Sequence, residues 1–225
     1  MKILNSKEED YHIHSFEYSD WMSSIDEIIR FSKEIWLKKI AITDHCQATL
    51  DFLHIPKKTL RSFVSARWSN VWNDVEVTFW VEWDLINEAW DICNHIQEKT
   101  WDFMILSAHF NIYKWNPKDI NKAYENAIIR HHKDIKFIWH PCMKAWWDHL
   151  DIEKLITVAN EYDLPMEFNC SNYVNWKTDL DKLDKMLNRA KYLYVNSDAH
   201  TLSELRDNKK IWYDFLKNNY GYNLW

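Results

Sequence analysis

The sequence predicts an α/β fold in which seven β-strands alternate with helices and close into a barrel. Short apolar, β-branched runs recur along the chain, and segments with helical spacing separate them. No Gly-rich dinucleotide-binding fingerprint accompanies these units, which favours a barrel over an open sheet. The predicted strands cover residues 11–14, 39–43, 75–81, 103–107, 136–139, 165–169 and 192–196.

Helical patterns lie between these strands. The leucines of residues 180–187 recur at helical spacing. Thr201 and Glu204 form a predicted capping box at the start of the last helix, and Ser23 with Asp26 opens the first helix in a similar way. A chain of 225 residues fits one barrel, so we expect a single domain over residues 1–225.

Composition and charge exclude several classes of protein. The net charge is −6 and no basic run is present, which argues against a dedicated nucleic-acid surface. The four cysteines form no C-x-x-C pair, so a reduced, cytoplasmic setting is expected. Residues 1–10 are polar and no apolar run approaches membrane-spanning length, so no membrane partner is expected. The sequence leaves the oligomeric state open.

Histidines and carboxylates stand at the ends of six of the seven predicted strands, and only the sixth, which ends at Asn169, lacks them. These residues are His12, His14, Asp44, His45, Glu82, His109, His140, Asp198 and His200. Because the carboxyl ends of the strands in such folds converge on one face, these side chains are expected to meet in one pocket. Imidazoles and carboxylates suit cations such as zinc or manganese.

Each of these residues is a weak indication alone, since a single histidine after a strand is more often an ordinary core residue. His12 and His14 alternate along a strand and therefore share a face. Asp44 is a candidate for orienting a ligand, and the Glu82 carboxylate is a candidate bridge between two cations. The joint pattern carries the prediction of a metal site.

These residues lie in motifs that resemble the PHP family, named for polymerase and histidinol phosphatase, over essentially the whole chain. The matching pieces are residues 12–15 with 19–20, 42–45, 81–82, 107–109, 140–141 and 197–200. The resemblance implies a distorted, TIM-barrel-like (β/α)7 barrel. It also implies a cluster of two or three divalent metal ions, and zinc, manganese and iron all tolerate such ligands.

The resemblance assigns nine residues to three metal positions. The first is His12, His14, Glu82 and Asp198; the second shares Glu82 and adds His109 and His140; the third is Asp20, His45 and His200. Among them, Glu82, Asp198 and His200 are the residues expected to take part in catalysis.

Hydrolysis of a phosphate ester fits such a cluster, because neighbouring divalent ions lower the pKa of a shared water and clamp phosphoryl oxygens. The resulting hydroxide would attack phosphorus. A small phosphorylated substrate is expected, and the favoured function is a phosphomonoesterase like histidinol-phosphate phosphatase, in histidine biosynthesis. Lys144 and Arg206 follow predicted ligands closely and are candidate contacts to the substrate phosphate. The acid that protonates the leaving group stays open between Asp198 and a metal-bound water.

Two other functions fit the same motifs. One is a phosphodiesterase or exonuclease acting on nucleotides or oligonucleotides, which needs an open groove with stacking aromatics and basic residues. The other is a metal-binding interaction module without catalysis. The complete ligand set argues against the module, and the acidic charge and short chain favour the monoesterase.

The chain has one glycine and fifteen tryptophans. Average glycine usage is about 7%, or roughly 16 residues at this length. Trp36 ends a helical pattern where a C-cap glycine is typical. Trp21 and Trp139 stand where the PHP pattern has glycine. We therefore hypothesise that most of these tryptophans are UGA codons that the source organism reads as glycine; the alternative is a tryptophan-rich protein. As printed, Trp21, Trp83 and Trp139 are expected to crowd the mouth of the pocket.

Overall fold

Eight parallel strands form the main sheet, in the order β1-β11-β10-β9-β8-β4-β3-β2. A computed structural model describes residues 1–56, 61–68, 71, 73–89, 91–101, 104–146 and 149–220. The strands are β1 Lys2–Ile3, β2 Glu9–Ile13, β3 Lys39–His45, β4 Glu76–Leu85, β5 Ile92–Cys93, β6 His95–Ile96, β7 Lys99–Thr100, β8 Met104–Ser107, β9 Ile135–Ile138, β10 Met166–Asn169 and β11 Tyr192–Asn196. The α-helices are α1 Ile25–Glu34, α2 Gln47–Phe52, α3 Arg61–Trp68, α4 Ile120–His131, α5 Ile152–Glu161, α6 Cys170–Val174, α7 Leu180–Arg189 and α8 Leu202–Tyr220.

The sheet curls until its two sides meet at the carboxyl ends of the strands. A parallel bridge joins Ile13, at the end of β2, to Ala199, just beyond β11. The backbone N–H of His14 donates to the Ala199 carbonyl at 3.3 Å. The predicted α/β barrel is therefore confirmed, in a distorted form. Within the described residues, no helix is long and apolar enough to cross a membrane.

Strand β4 is longer than the sequence predicts. It continues to Leu85 because Trp83 pairs with Leu106 of β8 and Asp84 pairs with Cys93 of the antiparallel strand β5. Glu82 thus lies within β4 instead of after it. The short strands β1, β5, β6 and β7 were not predicted, and the predicted start of the fourth strand, residue 103, lies outside the described residues.

The N-cap of the first helix lies one residue later than the sequence predicts. Ser24 is the N-cap of α1, and its hydroxyl and Glu27 form a reciprocal capping box, in place of Ser23 and Asp26. The predicted box before α8 is present in a modified form, in which Glu204 caps the residue before Thr201. The Glu204 carboxylate accepts from the backbone N–H of His200 at 2.8 Å, and Thr201 Oγ1 accepts from the Glu204 N–H at 3.2 Å.

An aromatic layer fills the barrel below the ends of the strands. Tyr11 stacks on Trp80 with 5.5 Å between ring centroids, and Tyr194 packs against Phe137 at 5.0 Å. Side chains alternate along a strand, so Glu82 points to the same side of β4 as Trp80, one layer higher. This packed layer forms a floor, and the polar residues at the strand ends lie above it.

Candidate metal centre

The deepest part of the site is an inner group made of His12, His14 and Asp198. The two imidazole Nε2 atoms lie 3.2 Å apart, and each is 3.3 Å from Asp198 Oδ1. All three side chains are buried. Asp198 reaches this point from a left-handed backbone conformation, with φ of 47°. The sharp turn after β11 therefore brings the last motif back over β2.

Glu82 lies between this inner group and the next pair of imidazoles. Its Oε2 is 2.7 Å from His45 Nδ1 and 3.7 Å from His14 Nε2, while its Oε1 is 3.2 Å from His109 Nε2. The carboxylate is fully buried. Because its two oxygens face different imidazoles, Glu82 is placed to bridge two cations.

Asp20 and His200 form an outer group at the edge of the site. His200 Nε2 lies 3.2 Å from Asp20 Oδ1, and His45 Nε2 lies 3.8 Å from the same oxygen. The Asp20 side chain is 57% exposed and that of His200 is 29% exposed. This side of the site is open to solvent, unlike the inner group.

His140 lies next to the other predicted ligands but is less closely joined to them. Its ring centroid is 5.4 Å from that of His109. Among the described residues, the groups of three donors within 4.8 Å of one another are His12, His14 and Asp198; His45, Glu82 and His109; and His14, His45 and His200. The structure therefore brings all nine predicted ligands to one rim, with Asp20 and His140 at the edges of these groups.

Two buried carboxylates that the sequence analysis missed hold the ligands in place. Glu167 Oε1 accepts from His12 Nδ1 at 2.9 Å, and Glu167 Oε2 accepts from the backbone N–H of His140 at 3.2 Å. Asp84 Oδ1 accepts from His109 Nδ1 at 2.7 Å. A carboxylate on one ring nitrogen fixes the tautomer, so the other nitrogen is directed into the site.

Asp44, which the sequence predicts to orient a ligand, is fully buried beside Ser15. Its carboxylate accepts from the backbone N–H and the hydroxyl of Ser15, at 2.6 and 2.8 Å. It therefore fixes the loop that follows His14, while Asp84 and Glu167 orient the histidine rings. In the sequence, Glu167 is marked only by its alternation with Asn169 along β10, and this pattern is common in half-buried strands.

The charges of the site are strongly coupled. Burial lowers the pKa of His12, but the carboxylates of Glu167 and Asp198 outweigh burial and hold that pKa above its ordinary value. Burial, with His200 and His45 nearby, holds the pKa of His14 well below its ordinary value. Burial raises the pKa of the Asp198 carboxyl, yet His12 and His14 overcome this effect and hold it well below its usual range.

Glu82 behaves in the opposite way. Burial raises the pKa of its carboxyl well above the ordinary value, although His109 acts to lower it. An ionised Glu82 is therefore costly in the protein alone, and a nearby positive charge would remove that cost.

The buried polar atoms of the site fit divalent ions. Several of them have no hydrogen-bond partner among the described residues: His14 Nδ1, His45 Nδ1, both oxygens of Glu82, His140 Nε2 and Asp198 Oδ1. Buried polar groups are normally paired, and unpaired ones call for an explanation. A set of imidazole nitrogens and carboxylate oxygens facing one another without hydrogen-bond geometry is the donor set that zinc, manganese or iron prefers.

A cavity of about 410 Å³ opens above these donors. The predicted ligands that line it are Asp20, His45, His109, His140, Asp198 and His200. Trp139 also lines the cavity, with its ring centroid 4.5 Å from that of His12 and 4.8 Å from that of His109. The cavity has the size of a small-molecule site.

The two predicted substrate contacts do not line this cavity. Lys144 Nζ donates to the Trp176 carbonyl at 2.8 Å and lines a neighbouring groove. The Arg206 guanidinium pairs with Asp207 on the surface of α8, at 2.7 Å. Closeness in sequence to a ligand did not decide where these long side chains point.

The tryptophans expected at the mouth of the pocket divide into three cases. Trp139 lines the cavity as predicted. Trp21 is buried beside His200, with 6.5 Å between ring centroids. The prediction for Trp83 is wrong, because its side chain points away from the barrel interior into the apolar core that contains Leu106.

Known proteins resemble this chain in sequence and in fold. A family model described as the PHP domain matches residues 10–197. A probable phosphatase from Shewanella amazonensis (strain ATCC BAA-1098 / SB2B) is 24% identical over 204 residues, which cover 87% of this chain and 78% of that protein.

Two solved structures share the fold. Histidinol phosphate phosphatase from Lactococcus lactis subsp. lactis Il1403, complexed with zinc, L-histidinol and phosphate, superposes with a TM-score of 0.53 at 13% identity; the match covers 92% of this chain and 94% of that one. A putative histidinol phosphatase from Listeria monocytogenes superposes with a TM-score of 0.54 at 10% identity, covering 91% and 99% of the two chains. At such identities the likeness establishes the fold alone.

Proposed function

The chain belongs to the PHP family, and we propose that it is a metal-dependent phosphoesterase that hydrolyses a small phosphate monoester as one domain over residues 1–225. The observation that carries this proposal is the position of Glu82, whose buried Oε1 lies 3.2 Å from His109 Nε2 and whose Oε2 lies 3.7 Å from His14 Nε2. A structural metal site is normally closed and holds one ion. A bridging carboxylate below an open cavity favours a catalytic cluster.

The nine residues divide among the ions as the family resemblance implies. His12, His14 and Asp198 would hold the first ion with Glu82, and His109 and His140 would hold the second with it. Asp20, His45 and His200 would hold a third. Bound divalent ions would supply a deprotonated water at neutral pH and offset the charge that develops on the phosphoryl oxygens.

The protein's own groups would position this chemistry. Glu167 and Asp84 hold His12 and His109 in single orientations. The low pKa of Asp198 keeps its carboxylate ionised, which suits a ligand better than a proton donor. We therefore favour water as the source of the proton for the leaving group. Asp198 is the alternative donor.

The cavity favours a monoester over the alternative of an oligonucleotide. Of the described residues that line it, Lys177 is the one lysine or arginine, and an exonuclease groove normally presents several along the strand. The net charge of −6 acts in the same direction. Histidinol phosphate is the first substrate to test, because it is named for the Lactococcus neighbour.

The test is phosphate release with manganese or zinc from histidinol phosphate, a generic aryl phosphate and a dinucleotide. We expect release from a monoester, lost in His12→Ala and in Glu82→Ala, with normal turnover in Lys154→Ala on the exposed face of α5. Turnover from the dinucleotide alone would favour the exonuclease. Metal binding without turnover on any substrate would favour the interaction module.

A second part of the proposal concerns the tryptophans: we propose that most of them are glycines in the natural protein. Trp36 and Trp176 have left-handed backbones, with φ of 66° and 60°. Each follows a helix, and the next N–H donates back five residues, from Leu37 to Ser32 and from Lys177 to Asn172. This is the Schellman turn, whose left-handed position glycine most often fills.

The indole side chains at these two turns make few packing contacts. Trp36 is 81% exposed and Trp176 is 83% exposed. A bulky residue in a left-handed conformation is a genuine outlier, and an exposed indole makes few contacts that would offset the strain. Glycine takes this conformation freely.

Trp21 and Trp83 are buried in apolar clusters, which favours the alternative of a tryptophan-rich protein, but two other buried tryptophans support the proposal. The ring of Trp139 lies 3.4 Å from that of His140, and the ring of Trp212 lies 3.7 Å from that of Phe168. Aromatic pairs prefer centroid separations of about 4.5–7 Å. The indole N–H groups of Trp139 and Trp212 are buried and have no acceptor in the part of the chain that the structure describes. Trp146 differs, because its Nε1 donates to the Ala108 carbonyl at 2.6 Å.

Codon inspection and peptide mass spectrometry of the natural protein test this proposal directly. We expect UGA codons and glycine-containing peptides at positions 36, 139 and 176; UGG codons and tryptophan there would refute it. In recombinant protein, Trp36→Gly should raise the free energy of unfolding by about 1 kcal/mol, the cost of a left-handed non-glycine residue. The matched change Trp115→Gly, at an exposed indole without positive φ, should not raise it.

A further inference from the structure

The cavity above the metal ligands has two sides of different chemistry. On one side lie Asn172, within α6, and Lys177, just beyond the turn that ends this helix. On the other lie Phe52, Leu53 and Ile112, which we call the apolar wall. The two sides are far apart in the sheet, because three strands lie between β10, which leads to Asn172, and β3, which leads to Phe52.

Asn172 carries a donor that the protein does not use. Its side chain is 7% exposed, lines the cavity, and its Nδ2 has no hydrogen-bond partner among the described residues. A buried amide N–H₂ without an acceptor costs free energy. The cost is removed if a ligand in the cavity supplies an oxygen.

The backbone holds this turn in place. The Asn172 N–H donates to Asn169 Oδ1 at 2.8 Å, and the Lys177 N–H donates to the Asn172 carbonyl at 2.8 Å. The Lys177 carbonyl in turn accepts from the Lys144 N–H at 2.8 Å. Asn169 also donates to Asp198 Oδ2 at 3.0 Å. Asn169 therefore connects the turn between Asn172 and Lys177 to Asp198, a proposed metal ligand.

Lys177 is the one lysine or arginine among the described residues that line the cavity, and no described carboxylate pairs with it. The neighbouring Lys144 is held by the Trp176 carbonyl instead. Since Lys177 and Asn172 share one turn beside Asp198, an anion near the metal ligands is within the reach of both donors. An ammonium and an amide N–H are suitable partners for phosphate oxygens.

The apolar wall has no charge to offer a leaving group. Phe52 is half-exposed and Leu53 is more than a third exposed, although both are large and apolar. The described carboxylates that line the cavity are Asp20 and Asp198, and both face histidines at 3.2 and 3.3 Å. A cationic amino alcohol would find no free carboxylate there, whereas an apolar alcohol would cover the exposed rings and methyl groups.

We propose that Asn172 and Lys177 bind the substrate phosphate and that Phe52, Leu53 and Ile112 accept an uncharged, apolar or aromatic leaving group. This inference rests on the proposed phosphomonoesterase function and narrows it. It selects aryl and alkyl phosphates over amino-alcohol phosphates such as histidinol phosphate.

The first experiment compares kcat/KM for phenyl phosphate, butyl phosphate and 4-aminobutyl phosphate. We expect the aryl and alkyl esters to exceed the amino ester by roughly tenfold or more, because the apolar wall offers no partner that would offset the desolvation of an ammonium. Equal rates, or a preference for the amino ester, would overturn the apolar wall. Absence of phosphate release from every ester would instead contradict the proposed function, so the two failures are distinct.

The second experiment tests the donors with Lys177→Ala and its matched control Lys154→Ala, at an exposed lysine of α5. Loss of a charge-assisted hydrogen bond should lower kcat/KM by roughly 10- to 100-fold in the first variant. The control should stay near the parent value, and Lys177→Arg should recover most of the loss. Competitive inhibition by inorganic phosphate should weaken in Lys177→Ala and in Asn172→Leu. Equal behaviour of the two alanine variants would overturn the assignment.

The third variant, Leu53→Asp, places a carboxylate on the apolar wall at a position that is 39% exposed, and circular dichroism checks that the variant is folded. We expect it to move the preference towards 4-aminobutyl phosphate, because the new charge would pair with the ammonium. An unchanged ratio of the amino ester to butyl phosphate would show that the leaving group does not lie against this wall.

Discussion

The inner and outer groups of the candidate metal centre contain the same kinds of donor but differ in how the protein holds them. In the inner group, His12 is buried and fixed by Glu167, which Asn196 also contacts at 2.9 Å. In the outer group, the Asp20 side chain is more than half exposed, and Ser19 Oγ donates to it at 3.0 Å from the neighbouring residue.

This difference indicates two kinds of metal position. A donor locked by buried hydrogen bonds is preorganised, so an ion binds without ordering the side chain. A half-exposed donor must lose conformational freedom when it binds an ion, which lowers its affinity. We infer that the inner position binds tightly and that the outer position exchanges more readily.

Removing an inner ligand should have the largest effect. In His14→Ala, the deepest imidazole is lost, and we expect kcat/KM to fall roughly a thousandfold or more, because a metal ion supplies several kcal/mol to such reactions. Steady-state kinetics on the best ester, together with metal analysis, measures the loss. His132→Ala, at the end of α4, should match the parent. A His14→Ala enzyme with near-normal turnover would remove the inner group from the reaction.

A smaller effect is expected when the support of an inner ligand is changed but the ligand is kept. Glu167→Gln preserves the size of the side chain but weakens its bond to His12. Changing a carboxylate that supports a metal-binding histidine costs about 10- to 100-fold in metal affinity or activity. Competition with a chelator measures the affinity, and excess metal should restore kcat. The matched control is Glu153→Gln, on the surface of α5. An unchanged affinity would show that burial alone orients His12.

The contrast between ligands and supports also shows what the sequence could predict. The strands were recognisable because β-branched residues form short runs, and a ligand at the end of a strand in a barrel must face the common rim. Eight of the nine predicted ligands follow from that rule together with the family motifs. Asp20 is the exception, because it lies in a loop and only the motif points to it.

The supports could not be predicted in the same way. Glu167 lies within β10, where a polar residue that alternates with apolar neighbours usually faces solvent; only the closure of the barrel turns it inward. Asn172 and Lys177 depend on a Schellman turn that the printed Trp176 conceals. Lys144 and Arg206 were chosen by their distance along the chain, which does not fix the direction of a long side chain.

The outer group should tolerate change better than the inner one. Asp20→Asn keeps the size of the side chain and removes its charge from a half-exposed position. We expect about a tenfold loss of activity at limiting metal, with one fewer ion bound and the remaining ions held as tightly as before. Calorimetric titration with zinc or manganese counts the ions and measures their affinities. Loss of every bound ion in this variant would mean that the two groups form one cooperative site.

The smallest expected effects are the pKa shifts of single histidines. They are measured by titrating the metal-free protein. Burial lowers the pKa of His12, His109 and His200, but carboxylate partners outweigh it and each pKa lies above the ordinary value. His14 and His140 have lowered pKa values, chiefly because of burial. A histidine pKa that is raised in the folded state contributes stability below about pH 6.5, and this stability is lost as the pH rises through the folded value. A lowered pKa acts in the opposite sense.

Metal ligands must be deprotonated, so zinc affinity should rise with pH until the histidines with raised pKa values have lost their protons. Histidine ring NMR over pH 5 to 9 would follow each residue, and a single common midpoint near 6.5 would contradict the coupled site.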